Sequence, residues 1–121
     1  MKRTLFILSL IFTGSVVFAQ QEIRIEDAAK HEGDSVKVCT KIFGARYLEN
    51  MNRAPTLLNA GAKYPDAPLT LVVFGESRAA FKQKPEEFYT GKQVCVTGKI
   101  VMFKGKPEII LTDDGQIMIK E

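Results

Sequence analysis

The chain of 121 residues has no tryptophan, a single histidine (His31) and only two cysteines, Cys39 and Cys95. These shortages exclude several chemistries. A closed zinc site wants four nitrogen or sulfur ligands, and one His with two Cys falls short of that. A histidine general base needs a group to act on. No Ser or Cys can be assigned beside His31, which reads as a surface or half-buried residue of a short helix. No glycine loop of the phosphate-cradling kind and no paired-His motif is present. Gly75-Glu76-Ser77-Arg78-Ala79 places a serine between strand and helix, as a nucleophile elbow does. That motif wants glycine where Ala79 stands, and His and acid partners in a much larger sheet. Ser77 reads instead as a helix N-cap. The expectation is a non-enzyme with no metal and no cofactor.

Long apolar runs are missing except at the start. Lys2 and Arg3 precede an apolar stretch, Leu5 to Phe12, and Val17-Phe18-Ala19 follows Gly14. This is the pattern of a secretory signal, residues 1–19, cut after Ala19. Ser9, Thr13, Gly14 and Ser15 interrupt it, and it is short for a membrane span of about 20 residues. The mature chain, 20–121, reads as one small periplasmic or secreted domain with no membrane span. Excess charge is missing too. Without Lys2 and Arg3 there are 15 basic against 14 acidic residues. The charge is uneven, however. Lys37, Lys41, Arg46, Arg53 and Lys63 face Glu49 alone across 37–63, and 92–106 holds four lysines and no acid. A mildly basic face is implied.

What the chain does have is alternation. Ser35 to Phe43 sets Val36, Val38, Thr40 and Ile42 against Lys37, Cys39, Lys41 and Phe43, and Gly44 permits a bend into Ala45 to Leu48. Thr56 to Asn59 and Leu69 to Phe74 are further strands. Gly91 to Thr112 is a hairpin turning at Lys104-Gly105-Lys106, with Gly98 allowing a sharp coil or bulge. Gln116 to Ile119 is a last short strand or extension. Short helices are expected over 26–33, from Ser77, and from Pro85, which carries Phe88 and Tyr89. Cys39 and Cys95 each follow a valine beat in the outward phase. If their strands are neighbours they can bond, as an oxidising compartment permits; otherwise they are two half-buried thiols.

Helix, three strands, helix, two strands is the order of the oligonucleotide/oligosaccharide-binding (OB) fold. The expectation is mainly β: a five-stranded OB-fold barrel with a short N-terminal helix and a helix between strands 3 and 4. In that fold the first strand neighbours the fourth, which brings Cys39 and Cys95 together. Two segments carry a resemblance. Leu57-Leu58-Asn59-Ala60-Gly61-Ala62-Lys63-Tyr64-Pro65 with Leu71-Val72-Val73-Phe74-Gly75 is one. Gly91-Lys92 through Val94, Val96, Gly98-Lys99-Ile100 and Lys104-Gly105-Lys106-Pro107-Glu108-Ile109 is the other. Over roughly Ala28 to Ile119 the chain resembles small bacterial OB-fold domains of the nucleic-acid-binding and thermonuclease-like group. The resemblance implies a ligand held on the second and third strands and their flanking loops. It does not imply nuclease activity, because Asp66, Asp113 and Asp114 make no calcium-binding set with Arg46 or Arg53.

Single-stranded nucleic acid or another polyanion would need aromatic platforms and a cationic track. The candidates are Phe43, Arg46, Tyr47, Asn59, Tyr64, Phe74, Lys99, Lys104 and Lys106, with Lys41 as a further cation and Phe103 sharing the outward phase. The bland reading has the rings covered by loops, helix or tail, Tyr64-Pro65 stapling its loop, Asn59 bonding in a turn, and the lysines solvated. The near-neutral mature charge favours an alternative ligand: a small molecule, oligosaccharide or protein partner.

Overall fold

The computed structural model describes residues 20–121 together with Ser9, Ile11 and Gly14. The expected signal segment and its cut lie outside the described residues, those three apart. Among the described residues there are seven strands: β1 (Gln21–Glu22), β2 (Ser35–Tyr47), β3 (Thr56–Ala60), β4 (Leu69–Val73), β5 (Gln93–Phe103), β6 (Lys106–Ile110) and β7 (Ile117–Ile119). The α-helix among the described residues, α1, is a single turn at Pro85–Phe88, and the other helical segments there are 3-10 turns. Hydrogen bonding runs β2–β3–β4–β6–β5 and back from β5 to β2, so the mixed sheet curls into a ring. The β4–β6 ladder is parallel, while the remaining ring ladders are antiparallel. β1 adds to β2 in parallel and β7 to β5 antiparallel. The strand count therefore exceeds five. β1 is two polar residues held by backbone bonds, a pairing that no side-chain pattern announces.

β2 and β5 are long because each serves two sheets. The first half of β2 pairs with β5 from Ser35↔Lys99 to Lys41↔Gln93, and the second half pairs with β3. Between them the register slips from Ile42 to Gly44, leaving Phe43 unpaired at a bulge that bends the strand. β5 changes partners between Lys99, opposite Ser35 of β2, and Ile100, opposite Ile109 of β6. Gly98 is needed for space: a Cβ there would lie 2.5 Å from Ile109 Cγ2. A bulge was one of two expectations for Gly98; close approach across the barrel is what it serves.

The inward phases of the strands close over one core. Val36, Val38, Ile42, Leu58, Leu71, Val96, Ile100 and Ile109 have no exposed surface. Each such side chain contributes about 1.5–3 kcal/mol by leaving water. The first 3-10 helix, Ile25–His31, buries Ala28 in this core. Gly33 ends it at φ 85° and donates its N–H to Ile100 O at 2.8 Å. Between β4 and β5, the 3-10 turn Gly75–Ala80 and α1 bring Phe81 and Tyr89 into the core. Ser77 does not cap that turn. The cap position is Phe74, with no side-chain hydrogen bond, because the chain is already helical at Gly75. Cys39 pairs directly with Cys95 between β2 and β5, and their sulfurs are bonded at 2.11 Å.

Candidate functional site

The sheet β3–β4–β6 presents two outward rows to solvent. One runs Arg46, Leu57, Val72, Ile110, and the next runs Gly44, Asn59, Thr70, Glu108, Val101. Opposite residues of a ladder share a face, so these side chains stand together. Leu57 and Val72 are apolar residues on the outer side of strands whose inner side is already apolar. They form the floor of an open cavity of about 380 Å³, with Glu108 beside them.

The walls come from the loop joining β2 and β3 and from two aromatic rings. Leu48, Met51, Asn52, Arg53 and Pro55 line one side, and Phe74 and Phe103 complete it. Leu48 N–H donates to Pro55 O at 2.8 Å and closes the loop's base. Arg53 and Ala54 adopt left-handed φ values of 63° and 42°. That turn lets Arg53 O accept from Gly75 N–H at 2.8 Å. A Cβ on Gly75 would stand 3.0 Å from Ala54 Cβ, so glycine is what lets the loop dock. The Arg53 guanidinium lies 3.7 Å over the Phe74 ring and pairs with Glu76. Its hydrogen bond holds the Glu76 carboxyl below its ordinary value.

Glu108 differs from the other carboxylates of the site. It has no ion pair and no side-chain hydrogen bond among the described residues. Desolvation pushes its pKa up. Arg53, the one cation lining the cavity among the described residues, is already committed to Glu76.

The expected site residues fall into groups. Phe74 lines the groove, but Arg53 stacks on its ring. Lys104 reaches to 5.4 Å from the Phe103 ring, and Lys106 stands opposite Phe103 in the β5–β6 ladder, so both border the groove. Arg46 borders it through its place opposite Leu57. Asn59 lies within β3, one row away, and not in a turn. Phe43 sits at the bulge under Lys41, at 5.2 Å. Tyr47 is stacked by Arg78 at 3.7 Å, and Arg78 is fixed by Glu86 at 2.9 Å and Thr56 at 2.6 Å. Tyr64 is 78% exposed, before a cis bond to Pro65. Lys99 stands opposite Ser35 in the β2–β5 ladder. None of Phe43, Asn59, Tyr64 or Lys99 lines the groove.

The ligand expected on β3, β4 and their flanking loops covers Leu57, Val72 and the 48–55 loop as elements, but none of these was singled out as a site residue, and Glu108, on β6, lies outside that expectation. The doubled apolar pairs Leu57-Leu58 and Val72-Val73 carry a signal for the floor, since one of each pair must face outward. Among the described residues no group of three or more His, Cys, Asp or Glu is placed to hold a metal ion, and no helix is long and apolar enough to cross a membrane.

No family model and no curated protein matches this sequence. Solved structures do share its fold. The OBody AM1L10, solved bound to hen egg-white lysozyme, aligns with TM-score 0.57 and 14% identity over 86% of this chain and 97% of its own. Yeast Stn1 and Ten1 align with TM-score 0.60 and 14% identity over 96% of this chain and 71% of theirs. Asparaginyl-tRNA synthetase from Pyrococcus horikoshii aligns with TM-score 0.53 and 10% identity, over 80% of this chain and 22% of that one. At such identities the likeness defines the fold, an OB-like β-structure, and nothing finer.

Proposed function

We propose that this chain is an exported, non-enzymatic OB-fold module that binds single-stranded nucleic acid. In this reading β2 to β6 are the five barrel strands, and the groove outside β3, β4 and β6 takes the ligand. One observation carries it: an open apolar groove bracketed by Phe74 and Phe103 and bordered by Lys104, Lys106 and Arg46. Rings offer stacking to any base, and the border cations offer partners to phosphates. Phe103 is 56% exposed and is the freer of the two platforms. The likeness to yeast Stn1 and Ten1 and to a tRNA synthetase agrees with this reading. Export is supported by the signal-like start and by the Cys39–Cys95 bond, of a kind that persists in oxidising compartments.

The test is fluorescence anisotropy with a labelled oligothymidylate across about 50 to 200 mM salt. Affinity is expected to fall with salt, with log–log slope near 0.7 for each phosphate contacted. Phe103→Ala is expected to weaken binding by roughly fivefold to a hundredfold, the range of one lost base stack. A polyanion without rings, such as polyphosphate, would be insensitive to Phe103→Ala. Binding unchanged by salt and by Phe103→Ala overturns the proposal. A protein or small-molecule ligand is the second reading. The apolar floor favours it, as does the OBody's complex with lysozyme.

A further inference from the structure

We infer that the groove selects guanine, through the Glu108 carboxylate at its floor. The assignment rests on the nucleic-acid reading and adds a base to it. Three observations lead there. Glu108 lines the cavity between β4 and β5, standing opposite Thr70 on one side and Val101 on the other. It has no donor of its own among the described residues, and the groove's lining cation is bound by Glu76. The surfaces around it, Leu57, Val72 and the rings of Phe74 and Phe103, are apolar.

A half-buried carboxylate without donors is costly, and a ligand that supplies them recovers the loss. The raised pKa of Glu108, caused by burial, is the mark of that deficit. A phosphate cannot relieve it, because like charges repel. The base end of a nucleotide therefore points to the floor and the phosphate to the lysine border. Guanine carries two adjacent N–H donors, on N1 and on the 2-amino group, and a carboxylate accepts both with its two oxygens. Adenine and cytosine set one amino group beside an acceptor nitrogen. Thymine sets its single N–H between two carbonyl oxygens, which a carboxylate repels. Stacking by Phe103 holds any base, while Glu108 distinguishes among them.

The experiment uses the oxidised, mature chain and oligothymidylates of about ten residues, within the reach of one OB domain. Each carries one central guanine, adenine, cytosine or hypoxanthine. Guanine is expected to bind about tenfold tighter than thymine, as one bidentate pair allows. Hypoxanthine, which lacks the 2-amino group, falls between them. Glu108→Gln is expected to remove the guanine preference, bringing the guanine- and thymine-centred oligonucleotides to within about twofold of each other, since the stacking that remains is sequence-tolerant. Equal affinity for all bases with binding intact overturns the assignment, as does a guanine preference that survives Glu108→Gln. Because the base series is read on the unmodified chain, a variant that misfolds does not decide the question. Failure of every oligonucleotide to bind removes the nucleic-acid reading itself, and the assignment with it.

Discussion

Single residues in this chain do two kinds of work, and each is measurable. Gly98 has no room for a side chain: the missing Cβ would press on Ile109, which is fully buried and branched at Cβ. Gly98→Ala is expected to cost about 1–3 kcal/mol in urea unfolding, as overpacking does. An unchanged midpoint would mean that Ile109 moves aside freely. Arg78 ties three elements together through Glu86, Thr56 and the Tyr47 ring. Its side chain and that of Glu86 are each only 17% exposed. The hydrogen bond from Arg78 holds the Glu86 carboxyl below its ordinary value, and Glu86 in turn raises Arg78. A carboxyl with a lowered folded pKa stabilises the fold above its unfolded value and loses that contribution as pH falls through the folded one. Glu86→Gln is therefore expected to cost on the order of 2 kcal/mol at neutral pH, because it leaves a half-buried guanidinium short of its partner. The gap between variant and parent should close as acid titrates Glu86. A gap that persists unchanged into acid would assign the cost to packing instead.

At the scale of elements, β2 and β5 matter most, since every ring ladder except β3–β4 and β4–β6 includes one of them. The disulfide ties these two strands across a sequence separation of 56. By loop-closure entropy its removal in Cys39→Ala/Cys95→Ala is expected to cost about 4 kcal/mol. Denaturant midpoints of the oxidised parent and the double variant, at equal pH, measure this; coincident midpoints would refute it. These two strands were also the most legible in the sequence. Their valine alternation, the bend at Gly44 and the outward phase of both cysteines could be read directly, because side-chain period and glycine are local signals. The two-residue β1 and the exact start of the turn after β4 could not. The first is built from backbone bonds alone, and the second starts at Gly75 with Phe74 at its cap position, two residues before the serine expected to cap it.

For the whole molecule, strand order was legible and the groove was only partly so. Mainly β architecture follows from the spacing of apolar residues, whereas ring closure through a parallel β4–β6 ladder joins segments far apart in sequence. The groove depends on that closure. Its floor combines Leu57, Val72 and Glu108 from three strands. Its wall depends on left-handed Arg53 and Ala54, residue types that give no warning of such backbone. The aromatic candidates dispersed for the same reason: Tyr47 met Arg78, and Tyr64 fell in a loop beyond β3.

The parallel rung also sets an order on assembly. Residues 70–72 must wait for 108–110 before the ring can shut. A chain emerging amino end first therefore has the 48–55 wall and the Leu57 and Val72 part of the floor well before Phe103 and Glu108 arrive. Until then the apolar strips of β3 and β4 stay open to whatever attends the nascent polypeptide.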